Sequence, residues 1–378
     1  MRLEQLTPPS PLLEHGHHEL ALEARAAFVA FEPAGAYDEK ALVKQLGAAN
    51  FYRYLVPRAF GGPNDRVDVR SLCVLREELA YRNPAADSVF AVQGLGSHPV
   101  LLAGTPEQKA QHLTAVANGA ALFAFALTEP EAGSDVAALR TTATRDGDGW
   151  VLDGHKRFIS NAGVATHHTV FARSGEGNKG VSCFVVPASA PGQKVTPMEL
   201  MGEHPIGELH FSGCKVPDSA RIGEVGQGMK LALGTLDVFR STVGAAAVGM
   251  ARRALDEALE WTKKRRQFGK PLADLPAVQA LLAESAVELD ASRLLVHRAA
   301  LAKDQGQERI TYEAAVGKLF ATEAAQRIID RCLQAHGGQG VVKGAAVERL
   351  YRDIRALRIY EGASEVQRLV IARHLLRD

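Results

Sequence analysis

Two short stretches of the 378-residue chain combine polar groups and glycines in a way that could support chemistry. The first, residues 126–135, reads ALTEPEAGSD and turns at Pro130 before Gly133 and Ser134. Small residues allow backbone N–H groups to approach an anionic or planar ligand closely. A plain surface loop explains this stretch about equally well, so the stretch alone does not predict a site.

The second stretch, residues 359–364, reads IYEGAS and places the carboxylate of Glu361 between an aromatic ring and a glycine. A carboxylate in such a place can act as a general base. The alternative is an exposed glutamate that ends one helix, with Ser364 starting the next. On these residues alone, we favour the exposed glutamate.

Other conspicuous residues fit ordinary roles better than chemical ones. Residues 223–228 and 337–340 are Gly-rich but lack the spacing of a dinucleotide-binding motif, so we interpret both as turns. The histidines within residues 15–18 have no Cys or acidic ligand at useful spacing, and we expect them to be solvated. Cys183 and Cys214 lie in β patterns typical of small core residues. We therefore expect no metal site and no disulfide framework.

The composition excludes several classes of protein. Hydrophobic residues make up 46% and charged residues 23%, as in an ordinary globular enzyme. A net charge of +1 provides no basic surface for nucleic acid. We find no run long enough for membrane insertion, and the opening MRLEQLTPPS has no apolar signal core. We expect a cytoplasmic protein, or a matrix protein if a transit peptide has been removed.

Hydrophobic spacing divides the chain into three segments. Thr105 followed by proline and glutamate predicts a helix start in the first segment. In the middle, turn pairs at 146–147 and 153–154 separate short runs of β-forming residues, which is typical of hairpins. Helical periodicity returns later, for example over residues 277–306. The predicted α+β domains are an N-terminal helical domain (1–120), a central antiparallel β domain (121–228) and a C-terminal helical bundle domain (229–378).

These stretches together resemble the acyl-CoA dehydrogenase family over nearly the whole chain, from about residue 20 to 375. The motifs that carry the resemblance are GTPEQK at 104–109, LTEPEAGSD at 127–135, RFISN at 157–161, RRQFGKPL at 265–272, QAHGGQG at 334–340 and YRDIRALRIYEGASEVQ at 351–367. Six motifs in family order make chance an inadequate explanation. The resemblance implies an FAD-dependent enzyme in which the C-terminal domain is a four-helix bundle and FAD lies between that domain and the β domain.

The resemblance also implies which residues bind the cofactor and the substrate. The cofactor-binding residues are Phe125, Leu127, Thr128, Gly133, Ser134, Phe158 and Ser160 near the flavin and its pyrophosphate, then Arg265, Gln267, Phe268, Gln334, Gly337 and Gly338 for the adenine end of a neighbouring subunit's FAD, together with Ala363 and Glu365. The substrate-binding residues are Ser134, Asp237, Arg240, Tyr360 and Gly362. Because the adenine end crosses a subunit boundary in this family, a homotetramer is implied.

The implied reaction is α,β-dehydrogenation of an acyl-CoA to the trans-2-enoyl-CoA. Glu361 would abstract the α-proton while flavin N5 accepts the β-hydride, and electrons would pass to an electron-transferring flavoprotein. The family's other base position is Phe239 here, which cannot accept a proton. The nearest alternative is an acyl-CoA oxidase or another flavoenzyme on the same fold. A helical adaptor without a cofactor is the alternative from a different class.

The chain departs from the family pattern at four places. Phe158 stands where Trp is usual, Ser160 where Thr is common, and Pro276 where Gln is frequent. The family's Arg-x-Ser-x-Thr loop is absent, because residues 202–208 read GEHPIGE. That loop lies on the substrate side of the β domain in relatives. Its loss therefore bears on the range of substrates rather than on the type of reaction.

Overall fold

The computed structural model describes residues 10–33 and 37–376. The first nine residues lie outside this part of the chain. The prediction that the N-terminus carries no secretion signal concerns these residues. The chain forms two compact units. One unit comprises Met1–Ala34, Val69–Asp87 and Arg240–Asp378, and the other comprises Gly35–Asp68 and Ser88–Phe239. The boundaries of the three predicted domains stay predictions.

Helices dominate the first unit and the start of the second. In chain order, the α-helices of the described residues are α1 (His15–Ala27), α2 (Glu39–Ala48), α3 (Val69–Arg82), α4 (Pro84–Ala103), α5 (Pro106–Ala117), α6 (Gly228–Lys264), α7 (Pro276–Asp304), α8 (Thr311–His336), α9 (Ala346–Leu357) and α10 (Ser364–Leu375). Thr105 caps α5 as predicted, because its hydroxyl accepts the N–H of Gln108 at 3.2 Å and the Gln108 side chain accepts the N–H of Thr105 at 2.8 Å.

The second unit contains the sheet. Its strands are β1 (Phe123–Ala126), β2 (Thr142–Asp146), β3 (Gly149–Ser160), β4 (His167–Arg173), β5 (Val181–Pro187), β6 (Gln193–Pro197), β7 (Ile206–Pro217) and β8 (Arg221–Ile222). They follow the order β6-β7-β3-β2-β4-β5-β8, and β1 pairs with β4. The predicted sequence of helices, sheet and helices is confirmed. Two pairings, β1 with β4 and β2 with β4, are parallel, so the sheet is mixed.

The two predicted turn pairs have different outcomes. Residues 146–147 begin the β2–β3 hairpin, where Gly147 adopts a φ of +55°. Residues 153–154 were wrongly predicted as a turn, because they lie inside β3. Gly154 has a φ of +148° beside a shift in the β3–β7 register, and a Cβ added there would lie 2.7 Å from Cα of Thr141. The glycine therefore permits a bulge against a neighbouring backbone.

Two expectations about buried side chains can be compared with the structure. Cys183 and Cys214 are fully buried free thiols in the sheet core, as predicted. The expectation of solvated histidines fails at His17, which is only 7% exposed. Its Nδ1 accepts the N–H of Glu14 at 3.1 Å, so this histidine helps to start α1.

One helix of the described residues, α6, is long and apolar enough to cross a membrane by length and composition alone. The sequence had suggested that no such run exists. The apolar window of α6 is 89% buried inside the protein. This burial is what the core helix of a folded domain requires, so the length and composition of α6 are weak evidence for a membrane span.

A buried ion-pair network joins α6 to α3 within the first unit. The guanidinium of Arg252 donates to both carboxylate oxygens of Glu78, at 2.8 and 2.7 Å, and lies 3.1 Å from Oε1 of Glu77. Burial would raise the pKa of Glu77, but Arg293 and Arg252 outweigh it and hold that pKa at about 2. Both carboxylates therefore stay charged and depend on the arginines.

Replacing Arg252 by methionine should destabilise the protein by about 3–5 kcal/mol, because it leaves buried carboxylates without their main partner. Urea unfolding measures this loss. Lys215→Met is the matched control, because Lys215 forms an exposed pair with Asp146 at 2.9 Å and should cost less than about 1 kcal/mol. Equal losses in the two variants would contradict the importance of the buried network.

Candidate active site

Glu361 lies between α9 and α10 with a strained backbone. Its φ is +52°, in the left-handed region that non-glycine residues rarely adopt. Gly362 follows with a φ of +96°, and a Cβ at that position would collide with the side-chain amide of Gln367. Strain of this kind persists only where the surrounding structure imposes it, and it concentrates at functional sites.

Three side chains hold this backbone through its carbonyl groups. Nε of Arg240 donates to the carbonyl oxygen of Glu361 at 3.0 Å. Nζ of Lys318 donates to the carbonyl oxygen of Gly362 at 2.8 Å, and the amide of Gln367 donates to the same oxygen at 2.9 Å. Arg240 and Lys318 therefore direct these hydrogen bonds to main-chain oxygens rather than to the Glu361 carboxylate.

The carboxylate of Glu361 is consequently left short of partners. Its Oε2 is buried and accepts no hydrogen bond from the described residues. Burial raises the pKa of this carboxyl group above its ordinary value, and the positive charges of Arg76, Lys318 and Arg240 only partly oppose the shift. The exposed glutamate favoured by the short stretch alone is thus wrong. Glu361 is half-buried, and a carboxyl group with one buried, unpaired oxygen and a raised pKa suits a general base.

Arg76 and Asp87, which belong to the same unit as Glu361, form a buried ion pair. The sequence analysis did not predict either residue as a site residue. Arg76 donates to both oxygens of Asp87, at 2.9 and 2.8 Å, and to the hydroxyl of Thr242 at 2.8 Å. Both members of the pair are about 1% exposed. A charged residue on the apolar face of a helix is a sequence signal for a buried charge. Arg76 on α3 and Lys318 on α8 both show this signal.

Tyr360 and the residues after Gly362 complete this part of the chain. Tyr360 is half-buried, and burial raises the pKa of its phenol, which therefore stays protonated. Ala363 is half-buried at the start of α10, whereas Glu365 is exposed and pairs with Arg368 at 3.3 Å. Asp237 is buried and lies one turn before Arg240 on α6.

The predicted flavin-facing residues belong to the second unit. Phe125, Leu127 and Thr128 lie at the end of β1 and just after it, and Gly133 and Ser134 are exposed beyond the bend that follows. No described atom lies within 4 Å of a Cβ built on Gly133, so the backbone there is open to a ligand.

A buried ion pair beneath this bend was missed from the sequence. Nζ of Lys156 donates to Oε1 of Glu129 at 2.7 Å, and the carboxylate of Glu129 also accepts the N–H groups of Arg140 and Thr141, at 2.6 and 2.9 Å. Burial lowers the pKa of Lys156 to about 8 although Glu129 opposes the shift. The contacts of Glu129 hold the start of the bend in place, whereas Gly133 further along the bend is exposed.

Phe158 and Ser160 lie at the end of β3. Phe158 has a φ of +57° and is 51% exposed, with the Arg157 guanidinium 5.1 Å from its ring centre. The hydroxyl of Ser160 is 2.8 Å from Nε2 of His204, and burial lowers the pKa of His204 to about 4. The altered segment 202–208 therefore supplies a neutral imidazole to a predicted site residue, a contact that the sequence did not indicate.

The predicted adenine-binding residues lie together at one end of the first unit. The Trp261 ring near the end of α6 stacks on His336 at the end of α8, with ring centres 5.4 Å apart. Arg265, Gln267 and Phe268 follow the first helix, and Gln334, Gly337 and Gly338 lie around the end of the second; all six are exposed. Phe268 is 86% exposed with a φ of +51°. Backbone strain of this kind concentrates at functional sites.

A cavity of about 460 Å³ elsewhere in the first unit contains none of these predicted residues. Charged side chains line it, including those of Arg82, Arg253 and Lys263. Arg253 already donates to Glu32 at 2.7 Å and to Glu257 at 2.8 Å. Because ion pairs occupy its wall, we do not assign chemistry to this cavity.

Comparisons with known proteins agree with the geometry. Three family models match in order, acyl-CoA dehydrogenase N-terminal domain over residues 18–120, middle domain over 124–214 and C-terminal domain over 226–376. The probable acyl-CoA dehydrogenase FadE25 of Mycobacterium tuberculosis is 38% identical to this chain, and the match covers 96% of each protein. It is 38% identical over 85% of both chains to the cyclohexane-1-carbonyl-CoA dehydrogenase of Geobacter metallireducens. The solved butyryl-CoA dehydrogenase of Megasphaera elsdenii superposes with a TM-score of 0.91 at 33% identity, covering 97% of this chain and 99% of that one.

The raised pKa of Glu361 predicts a stability difference that depends on pH. Because the folded protein favours the protonated carboxyl, wild type loses stability as pH rises through the folded pKa. Glu361→Gln should therefore be more stable than wild type at pH 8, and the difference should vanish below about pH 4.3, where the carboxyl is protonated in both states. A tenfold difference in proton affinity between the folded and unfolded states corresponds to about 1.4 kcal/mol.

Urea unfolding between pH 4 and pH 8 provides the measurement. Glu365→Gln is the matched control, because this exposed glutamate lies four residues away on α10. A wild-type protein that is more stable than Glu361→Gln at pH 8 would contradict the raised pKa.

Proposed function

The chain belongs to the acyl-CoA dehydrogenase family, and we propose that it oxidises an acyl-CoA thioester to the trans-2-enoyl-CoA. As a member of this family, it is an oxidoreductase and a flavoprotein. The observation that carries the proposal is the buried Oε2 of Glu361, which has no hydrogen-bond partner among the described residues. A buried oxygen without a hydrogen bond lowers the stability of the fold. This cost is expected at an active site where the oxygen must accept a proton.

Glu361 would take the proton from the α-carbon of the thioester. The α-hydrogen is weakly acidic and the β-hydrogen is not acidic, so deprotonation has to accompany loss of the β-hydride. When bound, FAD would supply the acceptor for that hydride at its N5 atom. The backbone N–H of Glu361 would donate to the thioester oxygen, where negative charge develops.

Neighbouring residues leave Glu361 as the best candidate for the base. Phe239, at the family's second base position, is buried and apolar. Lys318 has a pKa lowered to about 8 by burial, with Glu361 opposing the shift, so it stays largely protonated at pH 7. A protonated amine is a donor, and Nζ of Lys318 already donates to the carbonyl of Gly362. Arg240 and Lys318 would therefore position the base by fixing its backbone.

The residues proposed to hold FAD fit such a ligand. Gly133, Gly337 and Gly338 have no described atom within 4 Å of an added Cβ, so their backbone N–H groups can approach a pyrophosphate. The half-exposed ring of Phe158 offers an aromatic face to a planar ligand. Arg265 is exposed and can form a bidentate pair with phosphate. We propose an electron-transferring flavoprotein as the acceptor of the electrons, as the family implies.

Anaerobic titration of the purified holoenzyme with a panel of acyl-CoAs tests the reaction. Flavin absorbance should bleach with at least one substrate, because reduction is coupled to proton removal. Straight-chain acyl-CoAs of ordinary length should not give the highest kcat/KM, because residues 202–208 replace the family loop and place His204 against Ser160.

The two parts of this prediction fail separately. Absence of bleaching with every straight-chain, branched and cyclic acyl-CoA would contradict the proposed reaction. A highest kcat/KM with butyryl- or octanoyl-CoA would contradict only the proposed substrate range.

We further propose that FAD binds across a subunit boundary in a homotetramer. Arg265→Gln should weaken FAD binding about 10- to 100-fold, because one charge-assisted contact to phosphate is lost. Bound-flavin absorbance after dialysis measures the loss, and Lys263→Gln on the exposed end of α6 is the matched control. Light scattering that finds a fully flavinated monomer would refute the intersubunit site.

A further inference from the structure

Three side chains with metal-binding groups meet on one face of the sheet, apart from the residues assigned above. His155 on β3 pairs directly with His210 on β7, and Glu208 lies two residues before His210. Side chains two residues apart on a strand point to the same face. All three residues are half-buried, whereas the alternating residues Lys156 and Leu209 are fully buried.

The potential ligand atoms are already close together. Oε2 of Glu208 lies 3.1 Å from Nε2 of His155 and 3.4 Å from Nε2 of His210. The ligand atoms of all three residues lie within 4.8 Å of one another. In a tetrahedral zinc site with bonds of about 2.0–2.2 Å, neighbouring ligand atoms are about 3.4 Å apart. Two of the three separations therefore match the edges of such a site.

Ring stacking and an ion pair surround this cluster. The imidazole rings of His155 and His210 stack with centres 4.1 Å apart and planes inclined by 20°. Nε of Arg157 lies 3.1 Å from Oε1 of Glu208, so it contacts the oxygen that the histidines do not share. Lys194 lies on the neighbouring strand β6, where it is the register partner of His210. Its exposed side chain can turn towards solvent.

We propose that His155, Glu208 and His210 bind a divalent metal ion of the zinc type. Two imidazoles and one carboxylate without a thiolate suit Zn²⁺, and three protein ligands leave at least one coordination position for water. The ion would tie β3 to β7 between the bulge at Gly154 and the end of β3. The prediction of no metal site was based on the histidines within residues 15–18. Local spacing does not reveal the cluster of His155, Glu208 and His210, because strand pairing brings these residues together.

Isothermal titration of the purified holoenzyme with Zn²⁺ tests the proposal, after removal of any polyhistidine tag. Wild type should bind one equivalent per chain, and its melting temperature should rise with Zn²⁺ because the ion binds the folded state. His155→Gln and His210→Gln should each weaken binding at least about tenfold. Circular dichroism and flavin content of the metal-free variants establish that they are folded.

His15→Gln is the matched control. His15 also lies close to a carboxylate, with its Nε2 3.2 Å from Oε1 of Glu19, but on an exposed helix surface. This variant should bind Zn²⁺ as wild type does. Wild type that takes up no Zn²⁺ would overturn the proposal, as would folded His155→Gln and His210→Gln proteins that bind it with unchanged affinity.

Discussion

The raised pKa of Glu361 depends on one constraint, which is that no cation of the described residues forms a hydrogen bond to its buried Oε2. Arg240 and Lys318 donate to the carbonyl oxygens of Glu361 and Gly362. Their positive charge still reaches the carboxylate through space, but Oε2 keeps no partner among the described residues. Glu361 thus combines a raised pKa with a fixed backbone, whereas a direct salt bridge to the carboxylate would lower that pKa.

Backbone strain follows the same logic elsewhere in the chain. Of the described non-glycine residues, five have a positive φ, and three of these, Phe158, Phe268 and Glu361, had been selected from the sequence as site residues. Strained residues persist only when rigid elements hold them. The buried contacts of Arg76 and Arg252 provide such rigidity around α3 and α6. Positive φ values in the described residues thus include three positions that are proposed to contact ligands.

Local sequence rules predicted the elements better than the contacts. Periodicity predicted α7, and turn chemistry predicted the hairpin at Gly147, because both depend on residues close in sequence. Gly154 was misread as a turn, since a bulge depends on a neighbouring strand that local spacing does not reveal. The residues missed from the sequence share one property, which is that their partners lie far away along the chain. They are Arg76, Lys318, Lys156, His204 and the cluster of His155, Glu208 and His210.

Anaerobic single-turnover reduction of the flavin in Glu361→Gln tests the central claim most directly. The amide keeps the shape of the side chain but cannot accept the proton, so the variant should bind FAD and acyl-CoA normally. Its flavin should be reduced slower than in wild type by about 10²- to 10⁴-fold. Glu361→Asp should fall between the two, because its carboxylate is set back by one methylene. Reduction of Glu361→Gln at a near wild-type rate would contradict the assignment and place the base elsewhere.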